Sequence, residues 1–193
     1  MNWQHIALAD ATPLPWKNGG GTTRALLAWP PGVADWHWRM SVAQVDADGP
    51  FSVFEGVQRW FAVLDGAGVE LALGQGGTMQ TQRLTQQSDA FCFDGALPVD
   101  GTLIKGPTQD FNLMVRSAHG RAHMQRVRGT LAVIAQEGAV CALWAGLSGA
   151  VLRDANGVWP VPAQTLAWTS AAPARGLHID SADALFMEIV PCR

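Results

Sequence analysis

Short runs of Val, Leu, Ile, Phe and Trp recur along the chain, cut by Gly, Pro, Asp and Asn every eight to twelve residues. The i, i+3, i+4, i+7 spacing of an amphipathic helix is nearly absent. Period-2 alternation between closely spaced turn residues belongs to an all-β sandwich or barrel. Strands are predicted over 21–29, 36–45, 58–64, 68–73, 78–84, 90–93, 110–116, 129–134, 139–144, 151–153, 165–169 and 184–190. That is too many for one small barrel, so two joined barrels or sandwiches are expected.

The chain compared with itself at an offset of 70 residues supports the doubling. Phe61-Ala62-Val63-Leu64 falls over Leu131-Ala132-Val133-Ile134, and Gly68, Ala72 and Leu73 fall over Gly138, Ala142 and Leu143. Each copy reads as a strand, a glycine-containing hairpin turn and a second strand. The polar segment 117–128, without Tyr, Phe or Trp, is the natural linker. It divides the chain into an N-terminal part, 1–116, and a smaller C-terminal part, 129–193.

Composition narrows the function classes. Of 193 residues, 48% are hydrophobic and 15% charged, where ~25% charged is usual. A large apolar interior is therefore available and intrinsic disorder is excluded. The net charge is −3 and no Lys/Arg run occurs, which argues against a nucleic acid or an anionic membrane as partner. Cys92, Cys141 and Cys192 make an odd set without a CxxC pair, neither a disulfide framework nor a zinc pattern. The N-terminus lacks the basic and apolar regions of a signal peptide, and no apolar run approaches the ~18 residues of a membrane helix. A soluble, cytoplasmic protein is expected.

Candidate chemistry gathers in a few places. Pro15-Trp16-Lys17-Asn18-Gly19-Gly20-Gly21-Thr22-Thr23-Arg24 reads either as an Asn-Gly turn feeding a strand or as a glycine-rich anion concavity. It lacks the spacing of a Walker loop. In 36–42, strand parity puts Trp36, Trp38, Met40 and Val42 on one face and His37, Arg39 and Ser41 on the other. Arg59 shares a face with Phe61 and Val63. Asp110, Asn112 and Met114 oppose Phe111 and Leu113. A charge among apolar neighbours needs a partner, which Asp110 would provide for Arg39 or Arg59. A ligand carboxylate held in an arginine fork would do so equally. These stripes could also be the solvated faces of a sandwich. His119 and His123 stand at i,i+4 with no third ligand nearby, and no GxSxG elbow or cysteine in a basic setting is present.

Taken together, the ordered motifs resemble the HutD/Ves family of small cupin-like proteins. They are Trp16 to Arg24, Trp38-Arg39-Met40-Ser41-Val42-Ala43, Gly49-Pro50-Phe51-Ser52 with Phe54 and Gly56, and Arg59. Leu64-Asp65-Gly66-Ala67-Gly68, Phe93-Asp94-Gly95 and Asp110 to Met114 complete the set, all within 1–116. The resemblance implies a bicupin, two β-barrel or jelly-roll halves with few short helices. It also implies a role in histidine utilisation: binding a small pathway carboxylate such as N-formylglutamate or urocanate, rather than catalysing a step. Asn18, Arg39, Ser41, Arg59, Asp110 and Asn112 are then expected at the ligand pocket, and no catalytic residue is assigned. Two positions depart from the family pattern: Ala25 stands where an acid often follows the Thr-Arg pair, and Gln58 where an acid often precedes the strand arginine. Metal-dependent cupins carry an HxH pair that this sequence lacks, so neither a metal nor another cofactor is expected. The alternative is a metal-free isomerase or lyase with His37 or Asp110 as general base. A third reading is an interaction protein docking through Trp29 or Trp36, and the oligomeric state stays open.

Overall fold

Alternation of apolar and polar residues turns nearly the whole chain into strands. A computed structural model describes residues 3–74, 79–170 and 175–192, with seventeen strands and, among these residues, one short 3-10 helix at Leu8–Asp10. The chain divides into two compact units, 12–118 and 1–11 with 119–193. The all-β expectation holds.

In the unit 12–118, one antiparallel sheet runs β2 (Pro13–Pro15), β3 (Gly21–Trp29), β4 (Trp38–Val45), β11 (Thr108–Arg116), β6 (Val57–Asp65), β9 (Phe91–Asp94). A smaller sheet runs β5 (Gly49–Phe51), β10 (Val99–Leu103), β7 (Val69–Leu73), β8 (Gln80–Leu84). Phe61 and Val63 of β6 pack with Val69, Leu71 and Leu73 of β7, and with Leu84, Phe93 and Val99, to close the core. That core fills one end of the inner face, and the same strands turn polar toward the other.

The second unit is built on one sheet: β1 (Gln4–Ala7), β16 (Thr165–Thr169), β13 (Val140–Ala145), β17 (Arg175–Pro191), β14 (Ala150–Asp154) and β15 (Gly157–Val161). β12 (Gly120–Ala135) also pairs with the long β17. Leu143, Leu152, Leu177, Ile179 and Phe186 form its core with Trp3. Cys141 is buried there as a small apolar residue, whereas Cys92 is half-buried and Cys192 exposed.

Three expectations need correction. The segment 117–128 is not a linker, because β12 starts at Gly120 and Met124 and Val127 are buried. Its polarity belongs to a strand whose neighbours supply partners: Arg126 donates to both carboxylate oxygens of Asp183, at 2.8 and 2.9 Å. His119 lies in the turn before that strand and His123 within it, so the helical i,i+4 spacing that would put both on one side is absent. The two repeated segments are not hairpins either. β6 pairs with β11 and β9 while β7 pairs with β10 and β8, so the first glycine turn is a corner between sheets; β12 and β13 lie in one sheet, each paired with β17. Finally, residues before Ala11 belong with the C-terminal unit, through β1 on β16. The predicted strand at 78–84 begins on Thr78, which lies outside the described residues, and is observed from Gln80.

Candidate functional site

Strand register stacks the polar residues of the unit 12–118 into rows. Met114 of β11 lies opposite Arg39 of β4 on one side and Arg59 of β6 on the other. Two residues along, Asn112 lies between Ser41 and Phe61; two further, Asp110 lies between Ala43 and Val63. Ala25 and Thr23 of β3 extend the lower rows beyond Ser41 and Ala43. Because side chains alternate across a sheet, all these groups share one surface. All but Phe61 and Val63 line a cavity of about 530 Å³, with Trp16, Lys17, Asn18, Phe51, Ser52 and Phe54 around them. All six residues expected at a pocket, Asn18, Arg39, Ser41, Arg59, Asp110 and Asn112, are on its wall.

Asn18 sits at the exposed rim, where its role is partly structural. Its Oδ1 accepts the Gly20 N–H at 3.1 Å, and the Gly19 N–H donates to the Trp16 carbonyl at 3.0 Å. Gly19 adopts φ +73° and a Cβ on Gly21 would stand 2.2 Å from the Gln44 carbonyl oxygen, so the glycines serve the turn and the close approach to β4. The turn reading is correct and the backbone anion nest is not, since those N–H groups are already bonded. Trp16 is pinned beside it, its Nε1 donating to Thr23 Oγ1 at 2.7 Å.

Arg59 is a buried cation, with 6% of its surface exposed. Its Nη1 donates to the Ser52 carbonyl at 3.2 Å and its Nη2 to Asn112 Oδ1 at 3.1 Å. The rings of Phe51, Phe54 and Phe93 surround the guanidinium at 5.7, 5.7 and 5.0 Å, a cation–π cage that offsets part of the desolvation cost. Burial, with Arg39 adding to it and Asp110 opposing, lowers the Arg59 pKa to about 10, so it stays charged at neutral pH. Arg39 stacks on Trp36 at 5.4 Å and donates only to Met114 Sδ, at 3.4 Å. Burial lowers its pKa too. Among the described residues, neither arginine ion-pairs with a carboxylate, and the Nε of each is buried without an acceptor.

Asp110 is not the direct partner predicted for these arginines. Asn112 intervenes, its Nδ2 donating to Asp110 Oδ1 at 2.5 Å. Asp110 Oδ2 has no partner and the residue is 1% exposed. Desolvation pushes its pKa up to about 8, against the opposing pull of Arg59 and the Asn112 hydrogen bond. His37, the other candidate base, precedes β4, is half-exposed and is not on the cavity wall; strand parity does not extend to it. Trp36 is buried between Arg39 and Arg116, and Trp29, 43% exposed, stacks on Trp38. Among the described residues, no group of three or more His, Cys, Asp or Glu is placed to hold a metal ion.

Sequence reasoning did not find the phenylalanine cage or the Ser52 carbonyl. Gly49-Pro50-Phe51-Ser52 with Phe54 was the signal, but only the fold brings that loop over Arg59. The two departures from the family pattern separate here. Ala25 lies on the wall opposite Ser41, so its lost acid changes the pocket itself. Gln58 faces away and accepts from Trp60 Nε1 at 3.3 Å.

A family model described as HutD matches residues 8–187. The chain belongs to the HutD family. Among its relatives, an uncharacterized 21.2 kDa protein in the hutC 3′ region of Pseudomonas putida is 36% identical over 128 residues, 66% of this chain and 65% of that protein. Protein Ves of Citrobacter koseri is 34% identical over 126 residues, 65% of this chain and 64% of that protein. The HutD-family chain thus spans just under two thirds of these two relatives. HutD from Pseudomonas fluorescens SBW25, solved in a formate condition, covers both chains fully at TM-score 0.84 and 23% identity. A formate complex of Lactobacillus farciminis oxalate decarboxylase reaches TM-score 0.67 at 8% identity, covering 98% of this chain and 86% of that one. These two structural likenesses concern the fold, which is cupin-like. Among the described residues, no helix is long and apolar enough to cross a membrane.

Proposed function

We propose that this HutD-family chain binds a small carboxylate in the cavity of 12–118 and serves histidine utilisation as a binding protein rather than a catalyst. One observation carries the reading: Arg39 and Arg59 line the same cavity and, among the described residues, neither ion-pairs with a carboxylate. Two desolvated guanidinium groups without a counter-ion favour an anion, and a carboxylate matches their fork geometry. The family gives the pathway context, as does the P. putida relative's place beside hutC. The bound acid is proposed to be N-formylglutamate or urocanate. The same reading takes each unit as one cupin-like barrel, supported by the 70-residue offset, which lays the β6–β7 segment over the β12–β13 segment.

Thermal unfolding with N-formylglutamate, urocanate, glutamate and formate tests it. A ligand at 100 times its Kd stabilises by ~2.7 kcal/mol, roughly 5–11 °C for a chain this long at about 2–4 °C per kcal/mol. The expected result is such a shift for one acid, absent in a folded Arg59→Met variant whose side chain refills the phenylalanine cage without charge. Flat curves with all four acids would overturn the reading for them.

A metal-free isomerase or lyase is favoured by one feature, a cavity carboxyl raised to about 8, within the working range of a general acid or base. Following the same acids by NMR separates the two: conversion that stops in Asp110→Asn would establish catalysis, and unchanged spectra with binding would leave the binding protein.

A further inference from the structure

The arginines account for the proposed carboxylate but leave the acid on the same cavity wall without a role. Asp110 stands there on β11, between Ala43 and Val63. The charged groups facing it are Arg59 from β6, Arg39 from β4 and Lys17 from the rim; Asp110 is the one acid on the wall. Asn112 fixes how it is used. Since Asn112 Oδ1 accepts from Arg59, its amide offers only N–H to Asp110, so Asp110 Oδ1 is held as an acceptor. The other oxygen, Oδ2, is buried with no partner. A desolvated carboxyl with one hydrogen bond and no ion pair keeps its proton, and that proton belongs on Oδ2.

We propose that Asp110 determines ligand specificity by donating a hydrogen bond from Oδ2 to a second oxygen of the bound acid. The ligand class is then small carboxylates bearing a carbonyl or carboxyl oxygen beyond the carboxylate held by the arginines. One carboxamide and its two hydrogen bonds, 3.1 and 2.5 Å, already bridge Arg59 to Asp110. The inference rests on the carboxylate reading above. The raised pKa, about 8, agrees with a donor present at neutral pH and lost above it.

The test is calorimetric titration of the full chain with three acids of similar length: pentanoate, 4-oxopentanoate and 4-aminobutanoate, at pH 6.5 and pH 9. Pentanoate has no second acceptor, 4-oxopentanoate has a carbonyl, and 4-aminobutanoate has a donor instead. At pH 6.5, 4-oxopentanoate is expected to bind about 5- to 10-fold tighter than pentanoate, the worth of one hydrogen bond. That advantage shrinks at pH 9. Asp110→Asn keeps it at both pH values, because the amide N–H replaces the acid O–H, and Asp110→Leu, checked for folding by circular dichroism, loses it. Equal affinity for pentanoate and 4-oxopentanoate would overturn the inference and leave the carboxylate reading standing. A preference for 4-aminobutanoate would overturn it too, as the mark of an ionised Asp110. Failure of all three acids to bind the native chain, together with flat melting curves for the four acids tested above, would remove both.

Discussion

Asn112 joins two strands through one side chain, taking a hydrogen bond from Arg59 and giving one to Asp110. The consequence for stability follows from where the Asp110 proton sits. The ordinary aspartate value is 3.8 and the folded value about 8. Between them the folded chain holds a proton that the unfolded chain has released, so stability is full below pH ~4 and falls as pH rises toward 8. Asp110→Asn removes this dependence. It is expected to unfold at the native denaturant concentration near pH 4 and at a higher one at pH 7, the gain being of order a few kcal/mol at ~1.4 kcal/mol per pH unit. Urea melts at pH 4.5 and 7 read it directly, and a variant less stable than the native chain at pH 7 would show a well-compensated, ionised Asp110. At this scale much was legible. Period 2 placed Ser41 with Arg39, Phe61 with Arg59, and Asn112 and Met114 with Asp110, because parity within a strand is local. The Arg59 cage and the raised pKa of Asp110 were not, since they depend on which loop folds over the strand and how completely water is excluded.

Corners between the sheets of 12–118 rest on specific backbone geometry. Gly68 follows β6 at φ +104°, and a Cβ there would stand 2.1 Å from the Leu84 carbonyl oxygen. Thr108 clamps the turn, its Oγ1 paired at 3.2 Å with both the N–H and the carbonyl of Gly68. Gly68→Ala meets both strain and clash, and is expected to cost about 2–3 kcal/mol or more. A urea midpoint unchanged from the native chain would show that the corner can open without loss. The elements themselves divide in an instructive way. Runs such as 21–29 and 165–169 match β3 and β16 to the residue, although β16 is buried at all five positions and β3 carries a bulge between Ala25 and Leu27. Strands β5 and β15 carry Pro, and β10 carries Asp and Gly; pairing with neighbours makes them strands against their own propensity. β12 went unread over its first half because a strand that finds its partners in β17 and Asp183 looks, in sequence alone, like a polar connector.

On the scale of the whole molecule, chain order and structural unit part company at the N-terminus. Trp3 is 7% exposed and packs in the core built by 119–193, more than a hundred residues away in sequence. The β1 strand then pairs Gln4 to Ala7 against β16. Only a long-range contact makes this arrangement, so no local pattern announces it. Each unit has its own apolar core, with Trp3, Leu143 and Phe186 in one and Phe61, Leu71 and Val99 in the other. Truncating a buried tryptophan costs about 3–5 kcal/mol, so Trp3→Ala is expected to weaken the C-terminal unit although the change lies at the opposite end of the chain. Hydrogen exchange locates the loss: amides of β13 and β16 should exchange faster, while those of β4 and β11, which carry Arg39 and Asp110, keep their native protection. The same variant should still show the carboxylate-induced stabilisation of β4 and β11. Equal loss of protection in all four strands would mean that the two units unfold as one, and that the N-terminal tryptophan supports the cavity as much as the core it fills.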